Sequence, residues 1–217
     1  MAKGLDETDP AIKIIPCALQ AADKNVEVNI NGIFKNYMGA RIKESTLSFL
    51  DGLNVHLYAY VTDAFGKITA TYPENSNSLF NEVHNAIRWR DHNMPDKPIY
   101  CTEWGWDHQG AGMQGCFNSE CVSERAATAY ATRGVLLLQR LGLERATWFF
   151  YADTEDTQVR DGQNYTTRYW RSGLTGSKTD NFAKKRTFFA LESLVNQVGD
   201  KKFLKTIQEE DDAWVYL

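Results

Sequence analysis

The chain has 217 residues, of which 43% are hydrophobic and 12% aromatic, which is ample for a packed core and excludes disorder as its main state. Its 24 Lys and Arg residues against 28 Asp and Glu residues give a formal charge of −4 with no basic block, which argues against nucleic acid or an anionic membrane as a partner. No apolar run approaches the roughly 20 residues of a membrane helix, and the opening MAKGLDETDP has no apolar stretch of the kind found in signal peptides.

An apolar strand, a loop and an amphipathic helix follow one another four times along the chain. The predicted strands span residues 13–18, 53–58, 99–103 and 146–151. The predicted helices span about residues 33–50, 78–92, 123–141 and 182–198, with Ser123 as an N-cap and Gly199 as a stop. Continuous apolar strands that alternate with helices predict an α/β fold with parallel pairing. After Gly199 the pattern changes to two short predicted strands, 203–207 and 213–217.

Loop lengths differ between the two ends of these strands. The segments that enter each strand are short, whereas those that leave are long, at residues 59–77, 105–122 and 152–181. Long loops gathered at the carboxyl ends of strands are typical of a barrel enzyme. A nucleotide-binding doubly wound sheet is disfavoured, because no glycine-rich turn follows the first predicted strand.

The four cysteines divide into two kinds. Cys17 and Cys101 lie in apolar strand-like runs and are expected to be inert core residues. Cys116 and Cys121 flank a short polar loop, where a disulfide is favoured over free thiols. A zinc site with His108 is disfavoured, since the spacing is poor and no second ligand pair follows.

The most informative feature is a glutamate at the carboxyl end of a buried strand. Glu103 ends the apolar run from Ile99 and is followed by Trp104, Gly105 and Trp106. A carboxylate beside indoles is what a retaining glycosidase needs, since one ionised carboxylate attacks the sugar while aromatic faces stack on its ring. The alternative is a structural Glu103 that caps the next turn or pairs with an arginine in an open α/β domain.

Four segments carry a resemblance to a known family: IYCTEWGWD at 99–107, DGLNVHLYAY at 51–60, TWFFYAD at 147–153, and the stretch from RSGLTG to FFALESLVNQVG at 171–199. On these residues the chain resembles the clan A glycoside hydrolases, retaining enzymes built on a (β/α)8 TIM barrel. The resemblance implies a partial barrel, with residues 1–199 as its C-terminal half (the fifth to eighth βα units) and 200–217 as the start of a β-rich appendage.

The same resemblance implies roles for individual residues. Glu103 is the expected nucleophile, and His56 and Tyr58, two apart on one strand, are expected to support it and the sugar hydroxyls. Trp148 or Tyr151 is expected to form the floor under the sugar, and Asp153 to bind hydroxyls or order a loop. At most one of Trp104 and Trp106 should face the pocket, and Trp104 is favoured. His56 as a core imidazole and Trp148 as a wall residue remain alternatives.

A second carboxyl group, the general acid and base, is missing from the expected pattern. In the resembling family it follows an asparagine on the fourth strand, which would precede residue 1, so the chain is expected to be a fragment. Asn81-Glu82 falls inside a predicted helix, and Asp63, Asp107 and Glu155 have no motif behind them.

The resulting expectation is a retaining glycosidase acting on a poly- or oligosaccharide, inactive without its other half. The partner is a carbohydrate, with the missing barrel half or a second copy as a further partner, and the mechanism needs no metal or organic cofactor. The full-length protein is expected to be secreted or periplasmic. The alternative is a non-catalytic carbohydrate-binding or self-associating half-barrel, because open strand edges invite association.

Overall fold

The computed structural model describes residues 11–20, 47–109, 120–154, 157–160, 163–166, 171–210 and 213–217. The helices that it contains are α1 (Leu79–Asn93), α2 (Glu124–Arg140) and α3 (Arg186–Val198). The strands are β1 (Leu19–Gln20), β2 (Leu53–Leu57), β3 (Tyr60–Thr62), β4 (Ile68–Ala70), β5 (Ile99–Trp104), β6 (Asp107–Gln109), β7 (Cys121–Ser123), β8 (Arg145–Trp148), β9 (Thr157–Arg160), β10 (Gln163–Thr166), β11 (Thr206–Glu210) and β12 (Ala213–Tyr216).

The chain forms two compact units. The first unit comprises Met1–Tyr58, Leu79–Trp104 and Leu143–Thr147. The second comprises Ala59–Ser78, Gly105–Gly142 and Trp148–Leu217. Both units are therefore assembled from segments that are distant in the sequence.

A parallel sheet is the centre of the first unit. Its strand order is β1-β2-β5-β8, and β2 pairs in parallel with both β1 and β5. Leu53, Val55 and Leu57 of β2 are buried, as are Ile99 and Cys101 of β5. Helix α1 adds a buried apolar stripe of Val83, Ala86 and Trp89, which recurs every three residues as a helix face requires. These apolar layers hold the carboxyl ends of β2 and β5 side by side.

Among its described residues, the second unit contains α2, α3 and four two-stranded pairings. Strands β3–β4, β9–β10 and β11–β12 pair antiparallel, whereas β6–β7 pair in parallel. Helices α2 and α3 meet at a hydrogen bond between Thr128 Oγ1 and Thr187 Oγ1 of 3.2 Å. Trp106 is 2% exposed, and its indole N–H donates to the carbonyl of Thr71 over 2.9 Å.

Several predicted elements are confirmed closely. Strands β2 and β5 lie at the predicted positions, α1 is shifted by one residue, and α2 begins after Ser123, whose hydroxyl accepts from the N–H of Ala126 at 3.2 Å. Helix α3 ends at Val198, directly before Gly199. The helix predicted at 33–50 falls almost entirely on residues outside the described ranges.

The first predicted strand is displaced. Residues 13–18 form no ladder, and the assigned strand is the two-residue β1 that follows them. Here the backbone bonds to Asp51 instead: the N–H of Ile14 donates to the Asp51 carboxylate at 2.7 Å, and the Asp51 N–H donates to the Ile14 carbonyl at 2.7 Å. Pro16 also lacks the N–H that a ladder needs. Cys17, expected in the core, is exposed.

Three further boundaries differ from the predictions. Strand β8 ends at Trp148 rather than at residue 151, and β11 begins at Thr206 rather than at residue 203. Helix α3 begins at Arg186, four residues later than predicted: Phe182 adopts a positive φ of 53°, which a right-handed helix excludes, and the N-cap Lys185 is extended with a ψ of 169°. The long loops also contain strand pairings that the sequence patterns did not predict.

Across the part of the chain that the structure describes, no helix combines the length and apolarity that crossing a bilayer requires.

Candidate functional site

Polar side chains occupy every second position at the end of β2. Asn54 and His56 lie in the strand and Tyr58 directly follows it, while the residues between them are buried and apolar. Residues two apart share one face of a strand, so this polar row faces away from the apolar layer. Because β2 and β5 run in parallel, the row meets the carboxyl end of β5, where Glu103 lies.

An irregularity in β5 places two consecutive residues on this polar face. Val55 pairs with Cys101 and His56 pairs with Glu103, so the register shifts and Thr102 is the extra residue of a β-bulge. In a regular strand Thr102 and Glu103 would point to opposite faces, yet both contact His56. The bulge therefore aims both side chains at one imidazole, and bulges occur often beside active sites.

Glu103 is held through one carboxylate oxygen. The Tyr58 hydroxyl donates to Oε2 over 2.8 Å, and Nδ1 of His56 lies 3.4 Å from the same oxygen. Within the described residues of the first unit, Oε1 has no hydrogen-bond partner. The Glu103 side chain keeps 29% of its surface exposed. One oxygen is thus anchored while the other is open to a ligand.

Behind His56 a chain of hydrogen bonds leads to the backbone. Nε2 of His56 lies 3.1 Å from the Thr102 hydroxyl, which donates to Oδ1 of Asn54 over 3.0 Å. Nδ2 of Asn54 in turn donates to the carbonyl of Pro16 over 3.3 Å. The sequence predictions missed Asn54 and Thr102. The polar row of β2 is a signal that points to Asn54, whereas nothing local marks Thr102.

Burial and charge act in opposite directions on His56. Burial lowers the pKa of His56 below its ordinary value, and the nearby Glu103 carboxylate partly offsets this by favouring the imidazolium. Cys101, whose Sγ lies 3.2 Å from the Glu103 carbonyl, has its pKa raised to about 12 by burial, so its thiol is protonated and unreactive at neutral pH.

Trp104 ends β5 and is 2% exposed, and Trp106 is equally buried. Neither indole presents an open face in the free chain, so the expectation that Trp104 contacts sugar stays a prediction.

Of the two cysteines predicted to form a disulfide, the structure describes one. Cys121 is disulfide-bonded, whereas Cys116 lies outside the described residues; Cys17 and Cys101 are free. Among the described side chains, no cluster of three His, Cys, Asp or Glu groups suited to a metal occurs.

The second unit contains the other predicted sugar-binding residues. Trp148 ends β8, and its indole N–H donates to the carbonyl of Ser172 over 2.7 Å. The centre of the Trp148 ring lies 6.3 Å from that of the Trp106 ring. A Cβ atom added at Gly105 would lie 3.3 Å from the Trp148 ring. Tyr151 is 68% exposed. Trp148 is thus fixed by its neighbours, whereas Tyr151 faces solvent.

Asp153, expected to bind hydroxyls or order a loop, takes part in a buried ion pair. Lys185 donates to Asp153 Oδ1 over 2.5 Å and also contacts Nε2 of His108 at 3.1 Å. The N–H of Gly173 donates to Asp153 Oδ1 over 2.9 Å. These contacts anchor the loop after β8 to the start of α3, and both hydrogen bonds to Asp153 are accepted by Oδ1. The role of Asp153 in binding hydroxyls or in ordering a loop stays a prediction.

Burial governs the ionisation of this cluster. Burial raises the pKa of Asp153 and lowers that of Lys185, and in each case the partner charge works against it. Burial also lowers the pKa of His108 to about 3, with the cations Lys185 and Arg171 acting in the same direction. His108 is therefore neutral at physiological pH, with Nε2 accepting from the Lys185 ammonium.

Solved structures share this fold at low sequence identity, while no protein-family model and no curated protein matches the chain. A monomeric β-xylosidase from Caulobacter crescentus CB15 is 17% identical, with a TM-score of 0.52 over 89% of this chain and 35% of its own. An exo-β-agarase is 11% identical, with a TM-score of 0.55 over 92% of this chain and 21% of its own. β-Glucuronidase 2 of Bacteroides uniformis is 12% identical, with a TM-score of 0.51 over 91% and 19%.

This chain thus spans between 19% and 35% of the length of these three enzymes. Each of them is a glycoside hydrolase by its description, and the identities are low enough that the likeness concerns the fold alone. The chain has a mixed α/β fold, which it shares with these three solved structures.

Proposed function

We propose that this chain carries the nucleophile of a retaining glycoside hydrolase that cleaves O-glycosidic bonds in a poly- or oligosaccharide. The observation that carries the proposal is the hydrogen bond from Tyr58 to Glu103 at the carboxyl ends of adjacent parallel strands. The fold that the chain shares with three glycoside hydrolases also supports the proposal. The sheet of β1, β2, β5 and β8 would form part of a (β/α)8 barrel, whose active site lies at the carboxyl ends of its strands.

The chemistry follows from the two oxygens of Glu103. Oε1 attacks the anomeric carbon of the sugar, the bond from that carbon to the leaving oxygen breaks, and a glycosyl ester forms on Glu103. Water then attacks the same carbon, breaks the ester bond and restores the carboxylate. Tyr58 fixes Oε2 throughout, so Oε1 stays aimed at the reacting carbon. Two displacements leave the anomeric configuration unchanged.

The remaining roles are also proposals, and they rest on fewer contacts. Trp148 and Tyr151 supply aromatic faces to the sugar, a role that the burial of Trp104 denies to that residue in the free chain, and Asp153 orders the loop that follows β8. The general acid and base is assigned to no residue of this chain. Substrates with a good leaving group circumvent that gap, because a leaving group of low pKa departs without protonation.

Hydrolysis of dinitrophenyl β-xyloside, β-galactoside and β-glucuronide by the wild type, Glu103→Gln and Glu192→Gln tests the proposal. We expect release of dinitrophenolate by the wild type and by Glu192→Gln, whose carboxylate is exposed on α3, and release at the uncatalysed rate by Glu103→Gln. Full activity of Glu103→Gln would refute the role of Glu103. Saturable binding of a glycan without release by any variant would instead identify a non-catalytic binding module.

A further inference from the structure

The hydrogen bonds behind His56 have only one consistent set of directions. The carbonyl of Pro16 can only accept, so the group of Asn54 that faces it is the amide NH2 and the group that faces Thr102 is Oδ1. Oδ1 can only accept, so the single hydroxyl proton of Thr102 is directed to Asn54. The Thr102 oxygen must therefore accept from Nε2–H of His56.

These directions determine which ring nitrogen of a neutral His56 carries the proton. A neutral imidazole has one N–H, and that N–H is used at Nε2. Nδ1 then presents a lone pair to Oε2 of Glu103 at 3.4 Å, where a neutral ring with the opposite tautomer would have donated a hydrogen bond. Without Thr102, the tautomer protonated at Nδ1 would be preferred, because it donates to a carboxylate.

We propose that Thr102, placed by the β-bulge of β5, is a positioning residue that keeps the neutral His56 ring protonated at Nε2. Nδ1 is then the atom that takes up a second proton, between the ring and Glu103. His56 donates no hydrogen bond to Glu103 while neutral and donates one once it is an imidazolium. The consequence for the attacking carboxylate rests on the proposed function, whereas the tautomer itself does not.

The groups around His56 support this arrangement. Glu103 from β5 and Tyr58 after β2 are the titratable groups that face the ring among the described residues of the first unit. Strand β1 pairs with His56 through Gln20, which carries no charge, and α1 buries apolar side chains. The Tyr58 hydroxyl already donates to Oε2, so the carboxylate keeps one anchoring hydrogen bond when His56 is neutral.

The test is ¹⁵N NMR of the histidine ring nitrogens in the full chain, titrated with pH. The chain has 4 histidines, and the His56 signals are those lost in a His56→Asn variant. We expect the neutral wild-type ring to show a protonated Nε2 and an unprotonated Nδ1. In Thr102→Val, which removes the hydroxyl but keeps a β-branched side chain, the two signals should exchange character. Thr102→Ser keeps a hydroxyl and should match the wild type.

A wild-type ring protonated at Nδ1 when neutral would overturn the proposal, even if Thr102→Val failed to fold. So would an unchanged tautomer in a folded Thr102→Val variant. Because this measurement needs no substrate, its failure is separable from a failure of the glycosidase proposal, which the Glu103→Gln assay tests. Both results together would show whether the bulge serves a catalytic carboxylate.

Discussion

Replacing Lys185 with Met should destabilise the second unit strongly, because it leaves a buried carboxylate without its counter-ion. The side chains of Lys185 and Asp153 are only 11% and 6% exposed. In Lys185→Met, Asp153 would keep the N–H of Gly173 as a hydrogen-bond donor, and Nε2 of His108 would lose its own donor. Solvent has little access to either group to replace the ammonium.

The expected loss in the free energy of unfolding is about 3–5 kcal/mol, the range for removing one partner of a buried pair. Burial raises the pKa of Asp153 and lowers that of Lys185, so both charged forms are disfavoured by their surroundings. The intact pair therefore contributes little net stability, and the loss comes from the stranded charge. A double variant, Asp153→Asn with Lys185→Met, should recover most of it, because Asn keeps the oxygen that accepts from Gly173.

Urea unfolding monitored by tryptophan fluorescence measures these differences. Lys184→Met is the matched control, since Lys184 pairs with Glu192 at 3.4 Å with both side chains nearly half exposed. Its effect should be within about 1 kcal/mol, as for other surface ion pairs. An equal effect of Lys184→Met and Lys185→Met, or a double variant as unstable as Lys185→Met, would refute the stranded-charge account.

The remaining predictions concern other sites. The pKa of His108 is lowered to about 3 in the folded chain, so on acidification the unfolded chain is protonated at this residue before the folded chain. The free energy of unfolding should therefore fall between about pH 6.5 and 3, by up to about 5 kcal/mol. In urea titrations at several pH values, His108→Gln should show a flatter dependence of stability on pH. Gly52→Ala should lower the melting temperature through a loss of about 1–3 kcal/mol, since its Cβ would lie 2.6 Å from the Pro98 carbonyl. If Glu103 is the nucleophile, Tyr58→Phe should lower kcat/KM about 10- to 100-fold in steady-state assays.

Patterns within single segments of the sequence predicted the strands and helices that form through burial and capping inside those segments. The apolar runs at β2 and β5 are buried parallel strands, and an apolar run of that kind has few other stable placements. Helix α2 could be delimited because Ser123 caps its first turn through a side-chain hydrogen bond. Glu103, His56 and Tyr58 were grouped by the resemblance to the clan A glycoside hydrolases, and in the structure they meet where the ends of two parallel strands lie side by side.

Features that depend on pairing between distant segments could not be predicted. The bulge at Thr102 arises from the register between β2 and β5, which leaves no mark in the sequence of either strand. Lys185 meets Asp153 across 32 residues, and neither residue stands in a charge pattern that signals the contact. The late start of α3 follows from the extended Lys185 and from a left-handed Phe182, a residue type that rarely adopts that conformation.

Covalent labelling of Glu103 tests the central proposal most directly. Activated 2-deoxy-2-fluoro glycosides of xylose, galactose and glucuronic acid trap the glycosyl ester, because the fluorine slows its hydrolysis, and their leaving groups need no general acid. We predict that mass spectrometry will find one glycosyl group added to the chain, on the peptide that contains Glu103, and none added to Glu103→Gln. Labelling at another residue, labelling that persists in Glu103→Gln, or no labelling by any of these sugars would contradict the account.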